Sequence, residues 1–173
     1  MLAIVFVLSA CARATTTEPL RTVPQVDLNR YAGEWHEIAR YPNRFERDCD
    51  RDITANYSIR NDGRLRVVNS CVTPAGKTKT SAGSAKVTDK SSNAKLRVTF
   101  FWPFYGSYWV IGLDPDYKWA VVGEPSRKYL WILSRSAELD AAAYAAIISL
   151  VKEKGYDPSR LKPSEVRSAR DVK

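Results

Sequence analysis

Ile53-Thr54-Ala55-Asn56-Tyr57-Ser58-Ile59-Arg60-Asn61-Asp62-Gly63-Arg64-Leu65-Arg66-Val67-Val68-Asn69 is the stretch whose reading decides the fold. Apolar and polar residues alternate on both sides of Asn61-Asp62-Gly63. Alternation with a period of two is the mark of a half-buried strand, and Asp-Gly between two such runs marks a hairpin. The alternation predicts one buried face made of Ile53, Ala55, Tyr57, Ile59, Leu65 and Val67. Cys49 and Cys71 share that parity. A tight Asp62-Gly63 turn, however, brings residue 70 opposite Ala55 and residue 71 opposite Thr54, not opposite Cys49. Pairing of the two cysteines therefore requires the 45–52 segment to bulge or fold back.

Further strands are expected downstream, from Thr80 to Thr88, Ala94 to Trp102, Tyr108 to Leu113, Trp119 to Gly123 and Tyr129 to Arg135, and one upstream from Gly33 to Arg40. Turns separate them at 90–93, 103–106, 114–116 and 124–126. About eight short strands joined as a meander, with no long crossover, predict an all-β fold: an eight-stranded antiparallel up-and-down barrel. The period then changes. Tyr144, Ile147, Ile148 and Val151 form one helical stripe over 141–154, with Asp140 as N-cap and Gly155 as the stop. This C-terminal α-helix is expected to pack outside the barrel.

The chain has 173 residues and a formal net charge of +8, which points to a single domain. The basic residues are dispersed, with no stripe of the kind nucleic acid requires, so no nucleic-acid partner is expected. Attraction to anionic lipid head groups and plain solubility both account for the charge. At the N-terminus, Leu8-Ser9-Ala10-Cys11 closes a short apolar run and resembles a bacterial lipobox. The resemblance implies cleavage before Cys11, lipidation of its thiol and amine, and attachment to a membrane. No Lys or Arg precedes the run, which leaves room for a translation start upstream of Met1. Ala12 follows the cysteine where an aspartate would imply inner-membrane retention, so the resemblance points to the outer membrane, on its periplasmic face. With Cys11 lipidated, Cys49 and Cys71 remain in an oxidising compartment. A disulfide between them would contribute about 3 kcal/mol in the chain-entropy model.

Three motifs stand in one order. Gly33-Glu34-Trp35 follows Leu28-Asn29-Arg30-Tyr31-Ala32, Leu113-Asp114-Pro115-Asp116-Tyr117 makes an acidic-aromatic turn, and Tyr129-Leu130-Trp131-Ile132-Leu133-Ser134-Arg135 ends in an arginine. With the terminal helix, they resemble the lipocalin family. Tyr31 to Arg40, Phe45-Glu46-Arg47 and Phe101 to Gly106 are similar to its bacterial outer-membrane lipoprotein branch. On that resemblance residues 1–10 are a lipoprotein signal peptide, 11–25 the lipidated N-terminus and tether, 26–165 the lipocalin domain and 166–173 a tail. Gly33, Trp35 and Arg135 are expected to close the barrel floor, with the guanidinium over the indole. The resemblance implies a non-enzymatic, lipid-binding protein that stores or transports fatty acids or lysophospholipids for membrane maintenance under stress. Homodimers occur in the family, so a homodimer is one assembly it admits.

Alternation names the inward-facing, ligand-binding candidates: Ala39, Tyr57, Val67, Tyr108, Val110, Ala120, Val122, Tyr129 and Trp131. An apolar wall with a few phenols suits an acyl chain with a polar head. Rival chemistries are weaker. Asp48, Asp50 and Asp52 imitate the start of a calcium loop, but Ile53 and Ile59 stand where that loop needs Gly and Glu. The sole histidine, His36, is expected to face outward, away from any haem. Glu37 shares Trp35's parity, but no second carboxylate for acid–base work is visible beside it. No metal or resident cofactor is therefore expected. Two alternatives remain: a thiol-dependent isomerase, as one lipocalin subgroup uses a cavity cysteine, and a carrier of haem or a pigment.

Overall fold

The computed structural model describes residues 18–166, so Cys11, the signal segment, part of the tether and most of the tail lie outside the described residues. Eight antiparallel strands form the body: β1 (Gly33–Arg40), β2 (Arg51–Ile59), β3 (Leu65–Val72), β4 (Thr78–Val87), β5 (Lys95–Phe101), β6 (Phe104–Leu113), β7 (Trp119–Gly123) and β8 (Leu130–Ser134). Each pairs with the next, and β1 pairs with both β2 and β8, which closes the barrel. The decisive hairpin is one residue out of the register a tight Asp62-Gly63 turn would set: the Arg60 amide donates to the Arg64 carbonyl, the loop holds residues 61–63, and Ile59 lies opposite Leu65, Tyr57 opposite Val67 and Ala55 opposite Asn69. The predicted face survives the shift except at its end, where Ile59 is exposed.

Two apolar clusters divide the strand residues by parity. One fills the barrel and includes Trp35, Tyr57, Leu65, Val67, Val110, Val122 and Leu133. The other joins the outer wall to α2 (Ala141–Glu153) and includes Ile111, Val121, Ile132, Ile147 and Val151. Asp140 caps α2, accepting a 2.8 Å bond from the Ala143 amide. The expected stripe is shifted slightly: Tyr144, Ile147, Leu150 and Val151 pack on the barrel, while Ile148 is only half-buried outside that cluster. The helix approaches closely because β6 and β7 present glycines to it. A Cβ on Gly112 would lie 2.2 Å from Leu150 Cδ2, and one on Gly123 2.2 Å from the Tyr156 hydroxyl.

Three features depart from simple alternation. The expected 103–106 turn is tighter: Phe101 pairs with Phe104, so β6 begins earlier than Tyr108. A four-residue helix, α1 (Leu28–Tyr31), precedes β1, because Asp27 accepts from the Asn29 and Arg30 amides. A two-residue strand, β9 (Lys162–Pro163), adds to the end of β1.

The two barrel ends differ. The floor lies where β1 starts, over α1 and the β6–β7 turn. The open end gathers the β1–β2 loop, the Trp102-Pro103 turn and the β7–β8 loop, where Tyr41 donates its amide to the Leu130 carbonyl.

Candidate ligand-binding site

The floor is built on Trp35. Its ring is fully buried, and its Nε1 donates to the Tyr31 carbonyl at 2.8 Å. The Arg135 guanidinium lies 3.8 Å from the Trp35 ring centroid. It also donates to four main-chain carbonyls: Glu34 at 2.7 Å, Arg30 at 2.6 Å, Ala32 at 2.9 Å and Tyr31 at 3.2 Å. One cation thereby satisfies the carbonyls at the end of α1 and covers the indole, so Trp35 and Arg135 act as a plug. Gly33, at φ 96°, takes the left-handed turn that carries the chain from α1 into β1.

Above the plug sits a phenol cluster. The Tyr108 hydroxyl shares hydrogen bonds with those of Tyr31 (2.7 Å) and Tyr57 (2.9 Å). Burial raises all three above the ordinary phenol range, Tyr57 to about 12. They stay neutral at physiological pH and can exchange hydrogen bonds without presenting charge. Around and above them the wall is apolar: Val67, Val110, Ala120 and Val122 are all buried in the interior cluster. Asn69 shares the inward parity of Leu65 and Val67, and its buried Oδ1 has no hydrogen-bond partner among the described residues.

The mouth is polar and aromatic. Tyr129 stacks on Trp131 at 5.9 Å, and Phe45 approaches Tyr129 at 5.6 Å. Arg40 reaches Glu37 at 2.7 Å and Glu46 at 3.2 Å, so one guanidinium bridges two carboxylates. Trp131 Nε1 donates to Glu46 at 3.2 Å, and Asn43 donates to it at 2.7 Å. Ser164 donates to Glu37 and accepts from Arg40. Burial, and then the Glu46 charge, push Glu37 up to about 7, while Ser164 and Arg40 oppose the shift.

Of the inward-facing candidates, the structure brings Tyr57, Val67, Tyr108, Val110, Ala120, Val122 and Trp131 together in or against the interior cluster, whereas Tyr129 lies in the rim loop before β8 and joins them only through its stack on Trp131. Ala39 is a correction: it is fully buried on the outer wall, in the cluster under α2. The cause is a bulge between Glu37, opposite Leu133, and Ala39, opposite Ile132. It turns Ala39 outward and Arg40 inward. The absence of a second carboxylate near Glu37 is also corrected, since Glu46 meets it through Arg40. Alternation missed Arg40 and Glu46: the bulge has no residue signal, and Glu46 belongs to a loop. His36 lies on the outer wall, its Nε2 3.8 Å from a Glu34 oxygen.

Cys49 and Cys71 are disulfide-bonded. The required irregularity in β2 exists: the register shifts between Arg51 and Thr54, and Asp52 has φ 53°. The bond occupies both thiols on which an isomerase reading depends. Asp48 pairs with Lys79 at 2.9 Å, and Asp50 with Arg51 at 2.8 Å. Among the described residues no helix is long and apolar enough to cross a membrane.

A family model for a lipocalin-like domain matches residues 26–165. The chain is 40% identical over 156 residues to the outer membrane lipoprotein Blc of Escherichia coli, covering 90% of this chain and 88% of that protein. It is 39% identical over 155 residues to temperature-induced lipocalin-1 of Arabidopsis thaliana, covering 85% and 83%. Among solved structures, insecticyanin of the tobacco hornworm Manduca sexta superposes with a TM-score of 0.71 at 23% identity, covering 87% of this chain and 86% of that one.

Proposed function

From the premise that the chain belongs to the lipocalin-like family, we propose that it is a lipid-anchored outer-membrane carrier that holds a fatty acid or lysophospholipid in its barrel. The observation that carries this reading is the layering of the interior. A neutral phenol cluster lies at the bottom, an apolar wall in the middle, and a charged and aromatic ring at the mouth. An acyl chain inserted tail-first would meet only the Val67, Val110 and Val122 wall and the phenols. Its head would stop beside Trp131, Glu46 and Arg40. Burying an acyl chain of about a dozen methylenes carries a gross transfer term of about 10 kcal/mol. Association and chain ordering reduce it, so contacts at the mouth supply the margin. The anchor is Cys11, and the outer membrane is the compartment named for the Blc relatives.

Titration calorimetry with palmitate and with a lysophosphatidylethanolamine tests the reading. Either should bind with micromolar or tighter affinity, about 8 kcal/mol. Val67→Trp and Val122→Trp should weaken binding at least tenfold while the unfolding transition stays cooperative. Tight binding of haem or a pigment with no uptake of acyl lipids would overturn the cargo assignment, and steady appearance of a product would overturn the carrier. Acyl labelling lost in Cys11→Ala supports the anchor, and equal labelling of both proteins removes it.

A further inference from the structure

Six large hydrophobic residues are exposed among the described residues, and five of them sit at the open end: Phe45, Phe100, Phe101, Trp102 and Phe104. Only Ile59 lies at the other end. Phe101, Trp102 and Phe104 form the tip of the β5–β6 hairpin and are 74%, 77% and 70% exposed. Phe101 and Phe104 stack with ring centroids 6.3 Å apart, which presents the tip as one apolar wedge. Such a concentration on a water-facing loop marks an interaction surface.

What lies behind the tip identifies the partner. Tyr105 sits between two cations, with Lys86 Nζ 5.5 Å and Arg97 5.1 Å from its ring. Lys86 and Arg97 face each other across β4 and β5. Arg97 is four residues from Phe101, about 13 Å along the strand. An apolar wedge followed by a tyrosine and two cations at that depth is the order of a lipid interface: acyl region, then head groups. The second rim loop repeats the arrangement, with Arg44 5.4 Å from the exposed Phe45 ring.

The path of the N-terminal segment gives the same orientation. Arg127, in the β7–β8 loop at the open end, donates to the Glu18 carbonyl at 2.7 Å. From there the segment runs to the floor, where the Val26 amide donates to Ser92. The chain therefore enters the described fold at the rim. Cys11 is seven residues before Glu18, a reach of at most about 25 Å. That is about the length of an eight-residue strand such as β1. A floor-down orientation would spend the whole tether along the wall, whereas a rim-down orientation needs little of it.

We propose that the open rim docks on the bilayer to which the chain is anchored, with the Phe101–Phe104 tip inserted in the acyl region and the mouth facing the membrane. The orientation argument rests on the anchored-carrier reading; the aromatic wedge and its cations do not. In this pose a lipid passes between bilayer and barrel beside Phe45, Tyr129 and Phe100 without crossing water.

The test uses the full chain purified from membranes and reconstituted into phosphatidylethanolamine–phosphatidylglycerol vesicles containing brominated acyl chains. Bromine quenching should fall chiefly on Trp102, and Trp102→Phe should abolish most of the quenched fraction. The triple variant F101S/W102S/F104S should stay vesicle-bound through the anchor, lose the remaining insertion and transfer a fluorescent fatty acid to vesicles at least tenfold more slowly. In the Cys11→Ala background the same three substitutions should lower vesicle partitioning at least tenfold. Soluble lysophospholipid binding by the triple variant should be unchanged, so a carrier that fails to bind lipid is distinguished from a rim that fails to dock. Unquenched Trp102 would overturn the proposal. So would a homodimer that dissociates on the triple substitution without any change in quenching, since the wedge would then be a contact between copies.

Discussion

Replacing Glu37 by Gln should remove a specific part of the pH dependence of stability. Glu37 is 3% exposed, and burial followed by the Glu46 charge raises it from 4.5 to about 7. A raised carboxyl binds its proton more tightly in the folded than in the unfolded chain. Its contribution is therefore fully present below about 4.5 and is lost as the pH rises through about 7. The shift corresponds to about 3 kcal/mol at 1.4 kcal/mol per unit. The window is clean on its acidic side. Lys79 holds Asp48 low, Ser91 holds Asp89 low and Ser159 holds Asp157 low, so these act at more acidic pH and with the opposite sign. Urea unfolding of the ligand-free, disulfide-intact protein between about pH 4.5 and 8 reads the effect. The wild type should lose about 3 kcal/mol more across that range than Glu37→Gln. Loss of a carboxylate partner for Arg40 adds an offset to the variant, so the difference in slope is the informative quantity. Parallel profiles would mean that Glu37 is not held in its buried cluster and that Arg40 does not bridge two carboxylates.

The plug should behave as a unit: Trp35→Ala is expected to cost about 3–5 kcal/mol, Arg135→Ala less, and their double variant less than the sum, as read by denaturant unfolding. Reduction of the Cys49–Cys71 bond, or replacement of both cysteines by alanine, should lower stability by about 3 kcal/mol, with the linked peptide recovered only from non-reduced wild type. Gly123→Ala should destabilise by about 1–3 kcal/mol, because Tyr156 cannot withdraw: its hydroxyl accepts from the Glu124 amide and donates to the Glu124 carbonyl. Gly112→Ala should cost less in the same melting experiment, since the Leu150 methyl it meets ends a flexible side chain.

The barrel was legible because its strands alternate over long enough runs to be seen and turn residues separate them, although the three-residue loop at 61–63 sets a register one residue away from that of a tight Asp62-Gly63 turn. The plug was legible through the family resemblance of Gly33, Trp35 and Arg135. The disulfide posed a sharper geometric demand, an irregularity within 45–52, and β2 meets it at Asp52. Short or long-range features were not legible. α1 is too short to show periodicity, and nothing in Phe45-Glu46-Arg47 marks Glu46 as returning to the mouth. The one misplaced candidate, Ala39, has a single cause, the bulge in β1, because one extra residue inverts the side chains beyond it.

The bulge in β1 also shows why that failure falls at the site. Unbroken alternation would place Glu37 and Ala39 in the barrel and Arg40 on its outer wall. Glu37 would then be buried beside Glu46 with no cation between them, a costly arrangement for two carboxylates. The extra residue sends Ala39 under α2, where its small side chain admits the close packing of Ile132 and Ile147. It swings Arg40 inward, opposite Trp131, where it bridges Glu37 and Glu46. β9 pairs with β1 at this same place and delivers Ser164 to Glu37. One irregularity thus creates the polar ring at the mouth and seats the helix behind it. The ring is the feature that separates the mouth of this barrel from the apolar wall beneath it.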